Sequence, residues 1–591
     1  MAGLVANAPI YLNGVLSLFC VFVLPGLALV AFLDIPNFPQ RWFVVLLASL
    51  AANHLLVTAI AALHLDPLAT YRVATTVLLL AFFAGTVWQR YRSGAAIPAR
   101  GAVMRASDPG WLLSSLVVLA LTYFNVWKHG VPNIFDDGDI LVSWNNWALT
   151  WSQGYFPIGS YGYPQFIPTI WAVTYIFTGS IEQYFAFYIY VGLIMLPIAL
   201  NTMILGRISR WHPVVPGFAF IWFIAEIREP WLRSTLEQAF PDWVAAVFAW
   251  SGVVLFVVQD QDGRFDREKI VNNLIALSLV SIAAATKPLY GLFALAVLLA
   301  ICVDAWKYLE PGRRNRLVCG ATDLLALFAV LYAVYQAHLT NRGMPNFPVS
   351  DDLWERLARS SKLLNANFTV PFRILMVAGL VLSPFLKRFR WLAAPLFAGI
   401  LLWANTAAYD LRNILGFLLI AAFIPLYVAA RRWLQPRHIG AEPHWRVPDA
   451  AVAATLAILA LGLTFSVAMS DERLQHKFAD EQLRIGAGIG FNQKIAELLG
   501  DGCSIFGSIG YLTAIDALKK SRDRMHSFFY TLPLDASLVN QLNEATGCTA
   551  IFYPPWRTHP SIRDFIAGYA RARGMEKIHE DVGMELLVTK R

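Results

Sequence analysis

The sequence predicts a polytopic α-helical membrane protein with a C-terminal α/β domain. Three observations predict it. Of 591 residues, 57% are hydrophobic and only 15% charged. Mean hydropathy is +0.53. Apolar stretches long enough to cross a bilayer recur up to about residue 470 and then stop. A water-soluble chain wrapped around one core would carry more charge.

The apolar stretches fall near 10–33, 42–63, 72–88, 111–127, 184–205, 212–227, 241–258, 270–286, 288–304, 317–336, 368–386, 391–408, 413–430 and 449–469. A crossing of the ~30 Å hydrocarbon layer takes about 20 residues, so about fourteen crossings are expected. The first lacks a basic leader and a small-residue cleavage site, and it reads as a crossing, not a removed signal. The chain therefore divides into N-terminal crossings (1–109), a core (110–470) containing a large loop at 128–183, and a tail (471–591).

Orientation follows from the basic residues, which cytoplasmic loops retain. They collect at Arg90, Arg92, Arg100 and Arg105, at Arg264, Arg267 and Lys269, at Lys307, Arg313, Arg314 and Arg316, and at Lys387, Arg388 and Arg390. The opposite face then holds the loops at 128–183, 228–242 and 337–367 and the whole tail. In a bacterial inner membrane that face is periplasmic. The net charge of +8 reflects this topology and does not imply a nucleic-acid partner.

In the tail, β-type runs at 504–507, 549–553 and 586–589 alternate with helical patterns at 475–499, 511–520, 535–545 and 560–573, the signature of a small α/β domain. Of the five cysteines, Cys20, Cys302 and Cys319 lie in or beside apolar spans and read as small buried hydrophobes. Cys503 and Cys548 occur in similar strand-start contexts on the exported side. An oxidising compartment makes them the disulfide candidates.

The chemistry points to the large loop. Phe135-Asp-Asp-Gly-Asp139 places three carboxylates just before a Trp-rich amphipathic segment ending at Gly154. Capping a helix uses one aspartate, and three are present. On a helix, Leu141, Trp144, Ala148 and Trp151 share one face, with Ser143, Asn146 and Thr150 on another. Such a helix is expected to lie in the interface, its tryptophans at headgroup depth. Beyond the loop, Asp242 opens one crossing, Lys287 ends another, and Arg412 heads a third.

The order of these features resembles the GT-C membrane glycosyltransferases, nearest to the branch of protein O-mannosyltransferases and lipid A aminoarabinose transferases. The resemblance rests on the acidic cluster and amphipathic helix, Tyr163-Pro-Gln-Phe-Ile-Pro-Thr-Ile-Trp171, Phe240-Pro-Asp-Trp243, Ala285-Thr-Lys-Pro-Leu-Tyr-Gly291 and Tyr409-Asp-Leu-Arg412, over about residues 110–430. It implies inverting transfer of a sugar from a polyprenyl-phosphate donor to a glycan, lipid or protein acceptor on the exported face. By distance to Gly154, Asp139 fits the family's catalytic aspartate, followed by Asp137 and Asp136. Ile140 stands where the family commonly has a second acidic residue, which leaves the register among the three open.

A carboxylate would accept the acceptor hydroxyl's proton, and Lys287 and Arg412 would stabilise the leaving phosphate. Asp242, Asn146, Tyr163 and Trp144 are the candidate substrate-binding residues. No cofactor is expected, although three clustered aspartates are chemically able to hold a divalent cation. The sequence contains no P-loop, HExxH or GxSxG motif and no metal-ligand spacing. The rival readings are a transporter or flippase of a lipid-linked glycan and a non-catalytic assembly subunit. A transporter would carry ionisable groups near mid-membrane, whereas these charges lie at the ends of crossings.

Overall fold

The computed structural model describes most of residues 8–433 and 494–589; 93–101, 128–134, 136–139, 158–161, 180–182, 210–213, 260–265, 339–352, 407–409, 434–443, 448–493, 508–523, 529–533 and some shorter stretches lie outside the described residues. The first part is helical: α1 (Ala8–Phe22), α2 (Leu24–Val30), α3 (Phe38–Leu63), α4 (Pro67–Arg92), α5 (Asp108–Val126), α6 (Asn146–Ser152), α7 (Phe166–Thr178), α8 (Tyr184–Ser209), α9 (Val214–Ala225) and α10 (Pro230–Glu237). It continues through α11 (Pro241–Val258), α12 (Arg267–Thr286), α13 (Gly291–Tyr308), α14 (Pro311–Ala337), α15 (Leu353–Asn367), α16 (Val370–Leu382), α17 (Arg390–Thr406) and α18 (Leu415–Trp433). A two-stranded pair joins β1 (Ala102–Arg105) to β2 (His444–Val447).

Among the described residues, nine helical segments are long and apolar enough to cross a membrane. The span expected at 10–33 is interrupted between α1 and α2, where Pro25 falls in the first turn of α2. Those expected at 111–127, 212–227, 368–386 and 391–408 coincide with the helices α5, α9, α16 and α17. The stretch 449–469 lies outside the described residues.

The large loop differs from its expected form. Residues 166–178 fold into α7, an apolar helix with Phe166 to Ile176 buried. At 1.5 Å per residue, thirteen residues reach roughly 20 Å, too short to span the hydrocarbon layer but enough to plug a bundle. The amphipathic segment docks on this plug and not on lipid headgroups. Trp144, Trp147 and Trp151 are 4%, 3% and 0% exposed, so the expected headgroup anchors are core residues. Indole rings covered by protein contribute packing to the bundle instead.

At the centre, α11 is wholly buried and packs along α12. Gly252 makes this possible, because a Cβ there would sit 2.8 Å from the Ala276 carbonyl oxygen. The helices alternate in direction, so the start of α11, the end of α12 and the approach to α18 fall at one end of the bundle. Arg267, Lys269, Lys307, Arg313 and Arg314 belong to the opposite ends of their helices.

The C-terminal part is α/β. Strands β3 (Ser504–Gly507), β4 (Met525–Ser527), β5 (Thr549–Tyr553), β6 (Met575–Asp581) and β7 (Met584–Thr589) form a sheet of order β4-β3-β5-β7-β6. The β3 pairings to β4 and β5 are parallel, and β5–β7 and β6–β7 are antiparallel. Helices α19 (Ala536–Glu544) and α20 (Pro560–Ala572) match the helical patterns expected there. Those expected at 475–499 and 511–520 lie largely outside the described residues. Cys503 and Cys548, each one residue before its parallel strand, form a disulfide with a Cα–Cα distance of 4.5 Å.

Candidate active site

The described site is built from breaks in helices. Pro288 ends α12, since it lacks the amide and restricts its predecessor to extended backbone, and Lys287 accordingly has φ −142° and ψ 116°. The lysine therefore leaves the helix axis. Its Nζ lies 2.9 Å from Asp242 Oδ1 in the first turn of α11, with side chains 13% and 4% exposed. Lys287 also donates to Asn413 Oδ1 at 3.4 Å. Its ammonium lies 5.8 Å and 5.5 Å from the ring centroids of Trp144 and Tyr163. Two aromatic faces thus wall a cation whose solvent has been largely removed, where ring attraction is worth the most.

Arg412 sits in a 3₁₀ turn, Leu411–Ile414, leading into α18. Asp410 caps that turn, its Oδ1 accepting from the Arg412 amide at 2.9 Å. Its Oδ2 accepts from Arg412 Nε at 2.7 Å and lies 2.6 Å from Nη2, and the guanidinium stands 4.5 Å from the Phe240 ring. Gly416 brings this turn close to α11, since a Cβ there would lie 2.7 Å from the Tyr290 ring and 3.0 Å from Ala246 Cα. The Tyr290 hydroxyl accepts from the Gly416 amide at 3.0 Å.

The fourth wall is the turn Ile140–Asn145, which is π-helical and runs directly into α6. Such turns are uncommon and gather at functional sites. Trp144 and Trp147 from this segment pack against Tyr163, at 6.0 and 6.1 Å between ring centroids. Asn145 accepts from the Tyr175 hydroxyl of α7. Asn146 is buried at the first position of α6.

Asp136, Asp137 and Asp139 lie outside the described residues. The residues on either side are firmly held. Phe135 donates its amide to Gln183 Oε1 at 2.7 Å and stacks on Trp171 at 4.6 Å, and Ile140 is completely buried.

The structure thus brings Asp242, Lys287, Arg412, Trp144 and Tyr163 into one neighbourhood. Sequence reasoning missed Asp410, Asn413 and Asn145. Asp410 had a readable signal, an aspartate two residues before an arginine at a helix start. His54 was also missed; it is buried in α3, with Nδ1 2.7 Å from Thr169 Oγ1. It borders a cavity next to the site, lined further by Trp151, Ser281, Ala285, Phe328 and Tyr335.

Fold and site together define a multi-pass helical membrane protein with a charged, aromatic-walled site at one end of its bundle and a disulfide-bonded α/β domain. No family model matches the chain, and no curated protein matches it. Among solved structures, it is similar to ArnT from Cupriavidus metallidurans in the apo state, at 14% identity and a TM-score of 0.43 over 82% of this chain and 99% of that one. The same protein bound to undecaprenyl phosphate gives 13% identity and 0.43, over 82% and 98%. An oligosaccharyltransferase from Archaeoglobus fulgidus gives 14% identity and 0.30, over 60% and 54%.

Proposed function

We propose that the protein is an inverting GT-C-type glycosyltransferase that uses a polyprenyl-phosphate sugar on the exported face of a bacterial inner membrane. The observation that carries this reading is the juxtaposition of Lys287 and Arg412, two cations from separate helix breaks, around the buried Asp242 at one end of the bundle. Paired cations at a bilayer-edge cleft suit a lipid phosphate, with Arg offering a planar fork and Lys a point charge.

In the proposed reaction an acceptor hydroxyl attacks the anomeric carbon of the donor sugar. The bond from that carbon to the phosphate oxygen breaks, and the phosphate leaves with the electron pair. Lys287 and Arg412 stabilise the charge that develops there. The hydroxyl proton passes to a carboxylate of the 136–139 cluster, with Asp139 the first choice. Trp144 and Tyr163 wall the sugar side. The cavity beneath Lys287 receives the start of the apolar tail. Its outer wall is α14, which is mostly uncovered by protein and so faces lipid in a membrane. The C-terminal domain, on the same exported side, covers the site or recruits the acceptor.

The test is release of polyprenyl phosphate from a panel of polyprenyl-phosphate sugars by the purified protein, with a membrane extract as acceptor source. Asp139→Asn should abolish release while the protein still inserts and binds donor. Near-normal turnover in that variant would shift the base to Asp137, and no release by the wild type from any donor would refute the transferase reading.

A further inference from the structure

The described charges of the site already cancel. Lys287 is paired with Asp242, and Arg412 with Asp410. A cleft meant to bind a phosphate by charge alone would present a surplus of cation. Here the arginine's Nε and Nη2 both meet one carboxylate oxygen, at 2.7 and 2.6 Å. These same guanidinium donors would serve an incoming phosphate.

Resting on the glycosyltransferase reading above, we propose that Asp410 is an internal stand-in for the donor phosphate, competing with it for Arg412. Entry of the donor exchanges the carboxylate for the donor's phosphodiester, which carries one negative charge and two free oxygens as the carboxylate does, so the two compete for the guanidinium on nearly equal terms. After transfer, the carboxylate takes the guanidinium back and helps expel the polyprenyl phosphate product. Asp410 is well placed to do this without unfolding its surroundings. Its Oδ1 is held by the Arg412 amide at 2.9 Å and its backbone carbonyl by Trp403 Nε1 at 2.9 Å, so Oδ2 can release the guanidinium while the residue stays anchored. The residue acts through Arg412 and is a positioning residue, with an effect opposite in sign to that of a simple support.

The experiment measures binding of a polyprenyl phosphate, and of the matching polyprenol, to the full-length protein in nanodiscs. Asp410→Asn and Asp410→Ser each remove the charge but keep an oxygen able to cap the Arg412 amide. Both should bind the phosphate about tenfold more tightly than wild type, the equivalent of one charge-assisted hydrogen bond. Affinity for the polyprenol should not change, and the gain should disappear when Arg412→Ala is added. In turnover, KM for the donor and kcat should both fall, as product release slows. If the wild type binds the phosphate in preference to the alcohol but both variants bind it equally or more weakly, Asp410 is a support for Arg412 and the stand-in role is overturned. If the wild type does not distinguish phosphate from alcohol, the donor-phosphate reading itself fails.

Discussion

The ion pair between Asp242 and Lys287 allows a double-mutant cycle with two readouts that should separate. At 2.9 Å, and with an effective dielectric of about 20, the Coulomb attraction is on the order of 6 kcal/mol, most of which offsets desolvation of two nearly covered groups. Removing one partner leaves the other charge buried and uncompensated. Asp242→Asn and Lys287→Met should therefore each destabilise the protein by about 3–5 kcal/mol. The double variant should recover most of that loss, because an uncharged pair of similar volume needs no counter-charge. Thermal unfolding in a single detergent would report the recovery. Donor binding should behave otherwise, because both Lys287→Met and the double variant lack the ammonium and neither should bind a polyprenyl phosphate well. Additive stability losses, without recovery in the double variant, would refute the buried pair. Normal donor binding by Lys287→Met would remove the lysine from the phosphate site while leaving the pair intact.

Two further variants probe the scaffold. Gly252→Val places a side chain against the Ala276 carbonyl and should force α11 and α12 apart, costing about 1–3 kcal/mol or more by overpacking; unchanged thermal stability and unchanged donor binding would contradict the close approach. Replacing Cys503 and Cys548 by serine opens a loop with a sequence separation of 45, a loss of about 4 kcal/mol on the chain-entropy model. Proteolysis of the C-terminal domain should accelerate accordingly, and an unaltered rate would mean that the sheet is held by its core alone.

The legibility of this chain followed the range of the interactions involved. Helices α3, α8, α11 and α12 were readable because about 20 consecutive apolar residues have few alternatives near a membrane. Strands β3 and β5 were readable from short β-branched and aromatic runs after a glycine and a cysteine. The helix α7 was not, because a thirteen-residue stretch that contains Pro168, Tyr175 and three threonines reads locally as part of a loop, and only the surrounding bundle makes its burial possible. For the same reason the sequence alone puts the tryptophans of 144–151 at headgroup depth. Amphipathic spacing says that one face is apolar but not whether lipid or protein covers it. Within the site, Asp242, Lys287 and Arg412 are legible through the resemblance of the segments that carry them, each at the end of a crossing. Their pairing is not, since Lys287 and Asp242 come from different helices and the contact depends on Gly252 and on the break at Pro288.

The disulfide joins the residues that precede two neighbouring parallel strands, with the whole crossover between them enclosed in a covalent ring. A single nick anywhere between Cys503 and Cys548 would therefore leave the chain in one piece. The product would run as intact protein on a non-reducing gel and separate into two fragments only after reduction, so a nicked but still assembled sheet would be invisible to any assay that omits a reductant.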